Sequence, residues 1–298
     1  MANLKTLKTR IKSVKSTQKM TKAMKMVAAS RLKKAKHLVE SSRPFAIKIR
    51  EMTSNLASNI AVRGSMNEKF PLLTGRGSAE KHLIVVISSD RGLCGGLNSA
   101  TVKYTKNKIN ELVSQGREVK LMCIGKKAYE QLKGPYANRI SEYLSGIFKA
   151  TINYDIALEI ATKIIAKFDN NEFDVCEVIF SRFKSAIAQE QICQQLIPAP
   201  INFNNNLVAS NESPVNYEPS EEKVLSELLP QNIAIQIYNC LLENSASEQG
   251  ARMSAMESAS NNAGKMIKNL TLVYNRTRQA NITKELIDII SGANTISN

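Results

Sequence analysis

The first sixty residues contain the feature that most restricts how this chain can fold. Residues 1–63 include no Gly and a single Pro, Pro44, and they are rich in Lys, Ala, Met, Leu and Arg, which are good helix formers. One set of apolar side chains recurs alternately three and four residues apart, at Leu4, Leu7, Ile11 and Val14. This spacing predicts one apolar face of a long helix, which needs an apolar partner along its length.

A row of positive charges runs beside that face. Between residues 1 and 39 there are twelve Lys or Arg and no Asp or Glu. We call the cationic stripe the six lysines Lys5, Lys8, Lys12, Lys15, Lys19 and Lys22. The net charge of the chain is +15, and residues 1–60 account for +13 of it, with fifteen basic and two acidic residues. Because like charges at this spacing weaken an isolated helix, the stripe needs a negatively charged surface. Nucleic acid, an acidic protein and an anionic membrane all remain open as that surface.

The other end of the chain supplies the apolar partner. After Pro230 no further Pro occurs, and a second helical pattern begins. Its seam consists of Met253, Met256, Ser260, Ala263, Ile267, Leu270, Tyr274 and Thr277. Two helices of roughly 55–60 residues, each about 80–90 Å long, at opposite ends of the chain predict a long antiparallel two-helix coiled coil.

The last turns of the second helix carry more apolar surface than a two-helix seam covers. These side chains spread over about half of the helix circumference at ~100° per residue, and they are Ile282, Leu286, Ile287, Ile289, Ile290 and Ile296. Burying each aliphatic side chain stabilises by about 1.5–3 kcal/mol. We therefore expect an apolar sleeve from another protein around this end. The alternative is a frayed, disordered end.

The middle of the chain alternates strand and helix patterns. Residues 82–89 form a nearly continuous apolar run, which is typical of a buried strand, and residues 119–124 and 174–183 follow the same pattern. Helical patterns separate these strands, and residues 186–197 have the pattern of an extended, half-exposed segment. The order predicts a Rossmann-like α/β domain with a mainly parallel sheet.

The fold class is therefore mixed (α+β/α/β), with an α/β domain inserted between two coiled-coil helices. We predict an N-terminal helix over 1–63, the inserted domain over 64–230 and a C-terminal helix over 231–298. Residues 202–222 are polar and contain two Pro and several Asn, so they form a predicted linker within the inserted domain.

A glycine-rich turn over residues 92–96 follows the first strand and precedes a helix. It has neither the G-x-G-x-x-G spacing of dinucleotide-binding proteins nor a P-loop, so a tight strand-to-helix turn is the favoured interpretation over a nucleotide site. Cys94 within it is a weak candidate nucleophile, because no His or other base is evident nearby in the sequence. A nucleotide-dependent enzyme would rest on this turn alone.

Other features argue against metal, cofactor and membrane-spanning functions. The five Cys show no CxxC pair and there are only two His, so we expect free, mostly buried thiols and neither a metal site nor a cofactor. No run of eighteen apolar residues occurs, which argues against a membrane-spanning helix. The basic start lacks the apolar region of a signal peptide, and although a transit peptide would look similar, its pattern continues into the long helix, so we expect mature protein.

Three motifs in order along the chain resemble the gamma subunit of rotary ATP synthase. Residues 10–32 are similar to the start of that family, residues 88–98 to its central motif, and residues 248–256 and 274–286 to its C-terminal signature. The resemblance implies a central rotor shaft whose paired helices stand inside a ring of three alpha and three beta subunits. Its α/β domain would bind the epsilon subunit and the membrane-embedded c-ring, and torque would couple proton flow to ATP synthesis or hydrolysis.

The resemblance also implies roles for particular residues. Contacts with acidic loops of beta would be made by Lys22, Met24, Lys25 and Arg31. Contacts of the C-terminal helix with the alpha/beta ring would be made by Arg252, Arg278, Gln279 and Thr283. An apolar bearing would consist of Leu286, Ile289 and Ile290. Contacts with the c-ring or epsilon would be made by Gly92, Cys94, Gly95, Gly96, Tyr217 and Glu218.

A shaft of this kind implies a non-catalytic subunit, because the family's chemistry occurs in the beta subunits. It also implies a peripheral membrane protein on the cytoplasmic face of a bacterial inner membrane, attached only through the complex, with no nucleic acid partner. The competing hypothesis from the residues alone is a basic coiled-coil protein that binds nucleic acid, and it rests on the cationic stripe.

Overall fold

The computed structural model describes residues 4–62, 70–149, 152–200 and 220–296. Six α-helices and five strands occur in these ranges. The helices are α1 (Leu4–Val62), α2 (Pro71–Thr74), α3 (Leu97–Ser114), α4 (Lys126–Leu132), α5 (Tyr154–Asp169) and α6 (Glu221–Ile296). The strands are β1 (Lys81–Ile87), β2 (Glu118–Ile124), β3 (Ile140–Leu144), β4 (Val175–Phe183) and β5 (Gln189–Ile197). Short 3-10 helices cover Ala137–Arg139 and Ile147–Lys149.

The chain divides into two compact units. The first consists of Met1–Ala28 and Arg252–Asn298, and the second of Ala29–Ala251. The helices α1 and α6 each contribute to both units. The predicted division of the chain into three domains stays a prediction, although the helix that was predicted to begin at residue 231 begins earlier.

Within the first unit, α1 and α6 pack as an antiparallel pair. Gln18 Nε2 donates to the Ser260 carbonyl oxygen at 3.4 Å, and Lys25 Nζ lies 2.5 Å from Glu257 Oε1. The partner number on α6 falls as the number on α1 rises, which defines the antiparallel direction. The shielded positions on α1 are Leu4, Leu7, Ile11, Val14, Gln18, Thr21, Met24, Lys25 and Ala28. Their three- and four-residue spacing confirms the predicted coiled-coil seam.

Within the second unit the same two helices are again antiparallel. Ser42 Oγ donates to Asn239 Oδ1 at 3.0 Å, while Leu56 lies in one apolar cluster with Leu225 and Leu229. Both prolines inside these helices, Pro44 and Pro230, are accommodated without ending them. The seam and the antiparallel pairing confirm that part of the predicted fold class.

The start of α6 differs from the prediction. The sequence pattern placed it after Pro230, but the helix begins at Glu221. Leu225 and Leu229 are buried against Leu56 and Phe70, and this apolar packing stabilises the helix across the position where Pro lacks a backbone N–H.

The second unit contains a five-stranded sheet with the order β3-β2-β1-β4-β5. The strand β1 pairs in parallel with β2 and β4, β2 pairs in parallel with β3, and β5 runs antiparallel to β4 at one edge. This confirms the mainly parallel sheet and the extended, half-exposed last segment. The edge strand β3 was not predicted, because its five residues are half-exposed or exposed, include Ser141 and Glu142, and show no continuous apolar run.

The central position of β1 in the sheet explains why its sequence is almost continuously apolar. Leu83, Val85 and Ile87 face a core formed with α5 and α6, while Ile84 and Val86 face a second core formed with α3 and α4. Helices therefore cover both faces of the sheet. Every residue of β1 after Lys81 is buried, as a central strand of a parallel sheet requires.

Candidate functional site

The cationic stripe lies on the solvent side of the helix pair in the first unit. Each of its six lysines is exposed. No ion pair among the residues that the structure describes involves Lys8, Lys12, Lys15, Lys19 or Lys22. The charge of these five lysines is thus left for an external partner, and an acidic partner would relieve their mutual repulsion.

The predicted contacts with beta fall into two kinds of position. Lys22 and Arg31 are exposed, whereas Met24 is half-buried on the seam side of α1 and Lys25 pairs with Glu257 across the helices. A groove of about 540 Å³ in the first unit is lined by three lysines, Lys19, Lys22 and Lys25, and a single acidic residue, Glu257. This groove has the charge that an acidic loop would complement. The assignment of beta contacts stays a prediction.

The predicted ring contacts on α6 differ in accessibility. Arg278, Gln279 and Thr283 are exposed, and Thr283 Oγ1 donates to the Gln279 carbonyl oxygen of its own helix at 3.0 Å. Arg252 is only 9% exposed, so the chain itself covers most of that side chain. The three exposed residues are therefore better placed to touch another subunit than Arg252. All four roles stay predictions.

The end of α6 is an exposed helix with a broad apolar face. Every residue from Arg278 to Ser291 is exposed, and Ile282, Leu286, Ile287, Ile289 and Ile290 are each 47–67% accessible. At ~100° per residue these five side chains span an arc of about 160°, opposite the polar Asn281, Lys284 and Asp288. We call this surface the apolar end.

The helix of the apolar end continues to Ile296. The end of α6 is therefore a formed helix, and not the frayed end that was the alternative. Since side chains that are 47–67% exposed gain little burial within the chain, this surface is available for a partner. The bearing role of Leu286, Ile289 and Ile290 stays a prediction.

The glycine-rich turn over residues 92–96 lies between β1 and α3 in the second unit. Gly95 has φ +61° and Leu93 has φ +64°, so the backbone reverses tightly before α3 begins at Leu97. Gly92, Gly95 and Gly96 are partly or fully accessible, but Cys94 is buried beside Leu97 and Ala251. The accessible backbone of this turn is the part that another subunit could contact.

Buried polar side chains hold the turn in place. The Ser89 backbone N–H donates to Asn98 Oδ1 at 3.2 Å, and Asn98 Nδ2 donates to Cys94 Sγ at 3.2 Å. Ser89 Oγ also donates to the Arg91 carbonyl oxygen at 2.6 Å. Cys94 is thus a packed member of a structural turn, and the tight-turn interpretation fits this geometry better than a nucleophile does.

Two anchoring residues beside the turn were not recognised from the sequence. Asp90 Oδ1 accepts from the Lys126 N–H at 3.1 Å and its Oδ2 accepts from the Phe148 N–H at 3.3 Å. Ser88 Oγ accepts from the Ala128 N–H at 2.9 Å. Both side chains cap the start of α4, and the residue type alone, Asp or Ser after an apolar strand, was the available signal.

The cysteines have the character of core residues. Burial raises the pKa of the Cys123 thiol to about 12 and also raises the pKa of the Cys176 and Cys240 thiols. Because the thiolate is the reactive form, these three are poor nucleophiles near neutral pH. All five cysteines are free, and four of them are buried.

Two further findings concern the described ranges only. They include no cluster of three or more His, Cys, Asp or Glu that could hold a metal ion. No helix there combines the length and the apolar character that crossing a membrane requires. Tyr217 and Glu218, the predicted c-ring contacts, lie outside the described residues.

Comparisons with known proteins agree over the whole length. The family model described as ATP synthase matches residues 3–296. The ATP synthase gamma chain of Rhodospirillum rubrum is 47% identical over 302 residues, which cover 99% of this chain and 100% of the relative. That of Nitrobacter winogradskyi is 47% identical over 299 residues, with the same coverage.

The fold resembles a solved central stalk. The central stalk and c-ring structure of Tetrahymena thermophila mitochondrial ATP synthase contains a chain 30% identical to this one, with a TM-score of 0.60 over 81% of this chain and 99% of that chain. Paired terminal helices combined with a mainly parallel sheet thus define a protein of the ATP synthase central-stalk class. The chain belongs to the ATP synthase gamma-chain family.

Family membership confirms the resemblance found in the sequence, including its central-stalk function. The nucleic-acid-binding alternative finds no support in these comparisons. The relatives are subunits of ATP synthase, which fits a partnership with other subunits of that complex.

Proposed function

We propose that this chain is the central rotor shaft of a proton-translocating ATP synthase. It transmits torque between a membrane-embedded c-ring and a catalytic ring of three alpha and three beta subunits. The observation that carries the mechanical part of the proposal is the apolar end, a formed helix exposed around its circumference. Such a surface fits rotation inside an apolar collar, because dispersion contacts without fixed hydrogen bonds allow sliding.

The helices provide the stiffness that transmission of torque requires. Helix α1 has 59 residues and α6 has 76, so at 1.5 Å per residue they are about 88 and 114 Å long. Their seam in the first unit buries Leu7, Ala28 and Met256. Two helices packed along a shared seam resist bending and twisting better than one.

The cationic stripe and groove provide the contact with beta. Acidic loops of beta would lie over Lys22, Met24, Lys25 and Arg31. Exposed ion pairs are worth only about 0–1 kcal/mol each, so the contacts can form and break as the shaft turns. Arg278, Gln279 and Thr283, with the less accessible Arg252, would contact loops of the ring along α6.

The second unit would attach the shaft to the rest of the rotor. The accessible backbone of the turn at residues 92–96 would contact epsilon or the c-ring, together with Tyr217 and Glu218. The chain would have no catalytic residue of its own, since nucleotide chemistry would take place in beta. Its place would be peripheral, on the cytoplasmic face of a bacterial inner membrane, and it would be held there by the complex.

Purification from native membranes tests the proposal. A tagged full-length chain should co-purify with the alpha and beta subunits, in a fixed ratio of three alpha and three beta subunits to one copy of the chain. A chain recovered without alpha and beta under conditions that keep ATP hydrolysis intact would contradict it.

Met24→Lys should impair coupling more than assembly. Met24 is half-buried on the seam side, and a new charge there adds a desolvation cost and an ion pair with passing beta loops. We expect a several-fold decrease in protons pumped per ATP hydrolysed, measured in membrane vesicles. Met20→Lys is the matched control, because Met20 is 62% exposed and does not line the groove, so the substitution adds the same charge outside the proposed contact. Equal pumping by the Met24→Lys variant and wild type would rule out the assigned contact.

A further inference from the structure

A cavity in the second unit is lined by three guanidinium groups. It has a volume of about 370 Å³ and lies among α1, β4, β5 and α6. Arg43 and Arg50 from α1 and Arg182 from β4 line it, and Glu243 is its single acidic residue. The lining therefore has a net charge of +2. None of these residues belongs to the surfaces assigned above.

The one carboxylate in the cavity is already satisfied. Glu243 Oε1 lies 3.5 Å from Arg43 Nη2, and Glu243 Oε2 accepts from the Phe183 backbone N–H at 3.0 Å. Its side chain is 13% exposed. Glu243 is thus committed to Arg43 and to the protein backbone, and it cannot also neutralise the other two arginines.

The other two arginines, Arg50 and Arg182, are positively charged groups that can bind an anion. Neither Arg50 nor Arg182 has an ion pair within the part of the chain that the structure describes. Arg182 is opposite Glu190 in the strand register and acts on its charge, but the ion pair of Glu190 is with Lys184 at 2.8 Å. Two guanidinium groups around one cavity favour an anion that can accept several hydrogen bonds at once.

The rest of the lining suits an anion attached to a less polar group. The Asn239 side-chain amide is hydrogen-bonded to Ser42 Oγ at 3.0 Å and keeps at least one N–H for which the described residues supply no acceptor. Phe180 and Cys240, both 2% exposed, form part of the apolar lining. Donors and cations beside an apolar wall are the usual composition of a small-molecule site.

We infer that this cavity binds a small molecule bearing a phosphate group, held by Arg50 and Arg182 with Asn239 as an additional donor. Phosphate matches the planar fork of arginine through paired N–H···O bonds, and a cavity of about 370 Å³ is large enough for a small phosphorylated compound. This inference does not rest on the proposed function. The cavity residues lie within one compact unit, and their ligand need not be a substrate of any reaction.

Calorimetric titration of the purified full-length chain with inorganic pyrophosphate and with AMP tests the site. We expect saturable binding of at least one of them with a stoichiometry of one. Arg50→Gln and Arg182→Gln should each weaken it by at least about tenfold, the loss of one charge-assisted contact. Arg276→Gln is the matched control, since Arg276 is exposed on α6 in the first unit, and it should leave binding unchanged.

A second measurement covers the case in which a variant does not fold. In the wild-type chain, modification of Arg50 and Arg182 by phenylglyoxal, followed by mass spectrometry, should slow when pyrophosphate is present, while modification of Arg276 should not. Absence of saturable binding at millimolar pyrophosphate and AMP would overturn the inference. So would equal protection of all three arginines, or tighter binding of an oligoglutamate peptide than of either phosphate compound, which would indicate a docking site for an acidic protein segment.

Discussion

Replacing Gly125 with alanine is expected to lower the free energy of unfolding of the full chain by at least about 3 kcal/mol. Gly125 lies between β2 and α4 with φ +97°. A Cβ atom there would lie 2.1 Å from the Ser88 carbonyl oxygen and 2.8 Å from its carbonyl carbon. Both contacts are with backbone, which cannot rotate away as a side chain can.

The surrounding hydrogen bonds make it costly for the backbone to move away from a Cβ atom at residue 125. The Ser88 N–H donates to the Ile124 carbonyl oxygen at 2.8 Å, and the Gly125 N–H donates to the Leu144 carbonyl oxygen at 2.8 Å. Moving either segment to admit a methyl group would disturb the pairing of β1, β2 and β3. The substitution therefore adds a steric clash to the strain of a positive φ.

Gly116→Ala is the matched control for urea unfolding followed by circular dichroism. Gly116 has φ +75°, and a Cβ there would meet no atom within 4 Å. Gly116→Ala should lower the free energy of unfolding by the backbone strain alone, about 1 kcal/mol. If the two variants unfold within about 0.5 kcal/mol of each other, the close approach of Gly125 to Ser88 does not constrain this fold.

The second large effect concerns the apolar end. Ile290→Asp should weaken the binding of the chain to the alpha and beta subunits by about a hundredfold or more, because an unpaired carboxylate inside an apolar collar costs about 3–5 kcal/mol. Ile290 is 59% exposed in the chain. The unfolding free energy of the chain alone should therefore change by less than about 0.5 kcal/mol. Co-sedimentation with purified alpha and beta measures the first quantity.

Asn281→Asp provides the control for charge. Asn281 is exposed on the polar side of the same helix end, so the substitution adds a carboxylate without placing it on the apolar arc. It should weaken binding far less than Ile290→Asp does. Equal losses from the two variants would show that the collar responds to charge in general, and unchanged binding of Ile290→Asp would remove the collar from the mechanism.

Periodic apolar spacing made the fold largely predictable. The seam positions predicted from Leu4 to Val14 and from Met253 to Thr277 are among the shielded positions of the helix pair. The run at Leu83–Ile87 is apolar because α-helices cover both faces of the sheet. Local propensity, pattern and packing agree at these places, which is why sequence reasoning succeeded there.

Prediction failed where tertiary packing overrides a local signal. Pro230 looked like a boundary, yet burial of Leu225 and Leu229 against Leu56 keeps α6 helical from Glu221 onward. The edge strand β3 has little apolar surface and is formed by pairing with β2. Neither packing contact can be recognised from the apolar periodicity of the segment itself.

The functional surfaces also differ in whether the sequence alone predicts them. The cationic stripe and the apolar end are each continuous along one helix, so their spacing in the sequence was enough to find them. The arginine-lined cavity joins Arg43 and Arg50 to Arg182, which is more than 130 residues away. Only the fold brings these groups together.

The central claim is that this chain turns inside a ring of alpha and beta subunits. The most direct measurement fixes the assembled complex to a surface through beta and attaches a bead to the chain at Lys103→Cys, an exposed position on α3. On addition of ATP, the account predicts sustained rotation of the bead in one direction. A bead that remains stationary while the same complexes hydrolyse ATP would contradict it.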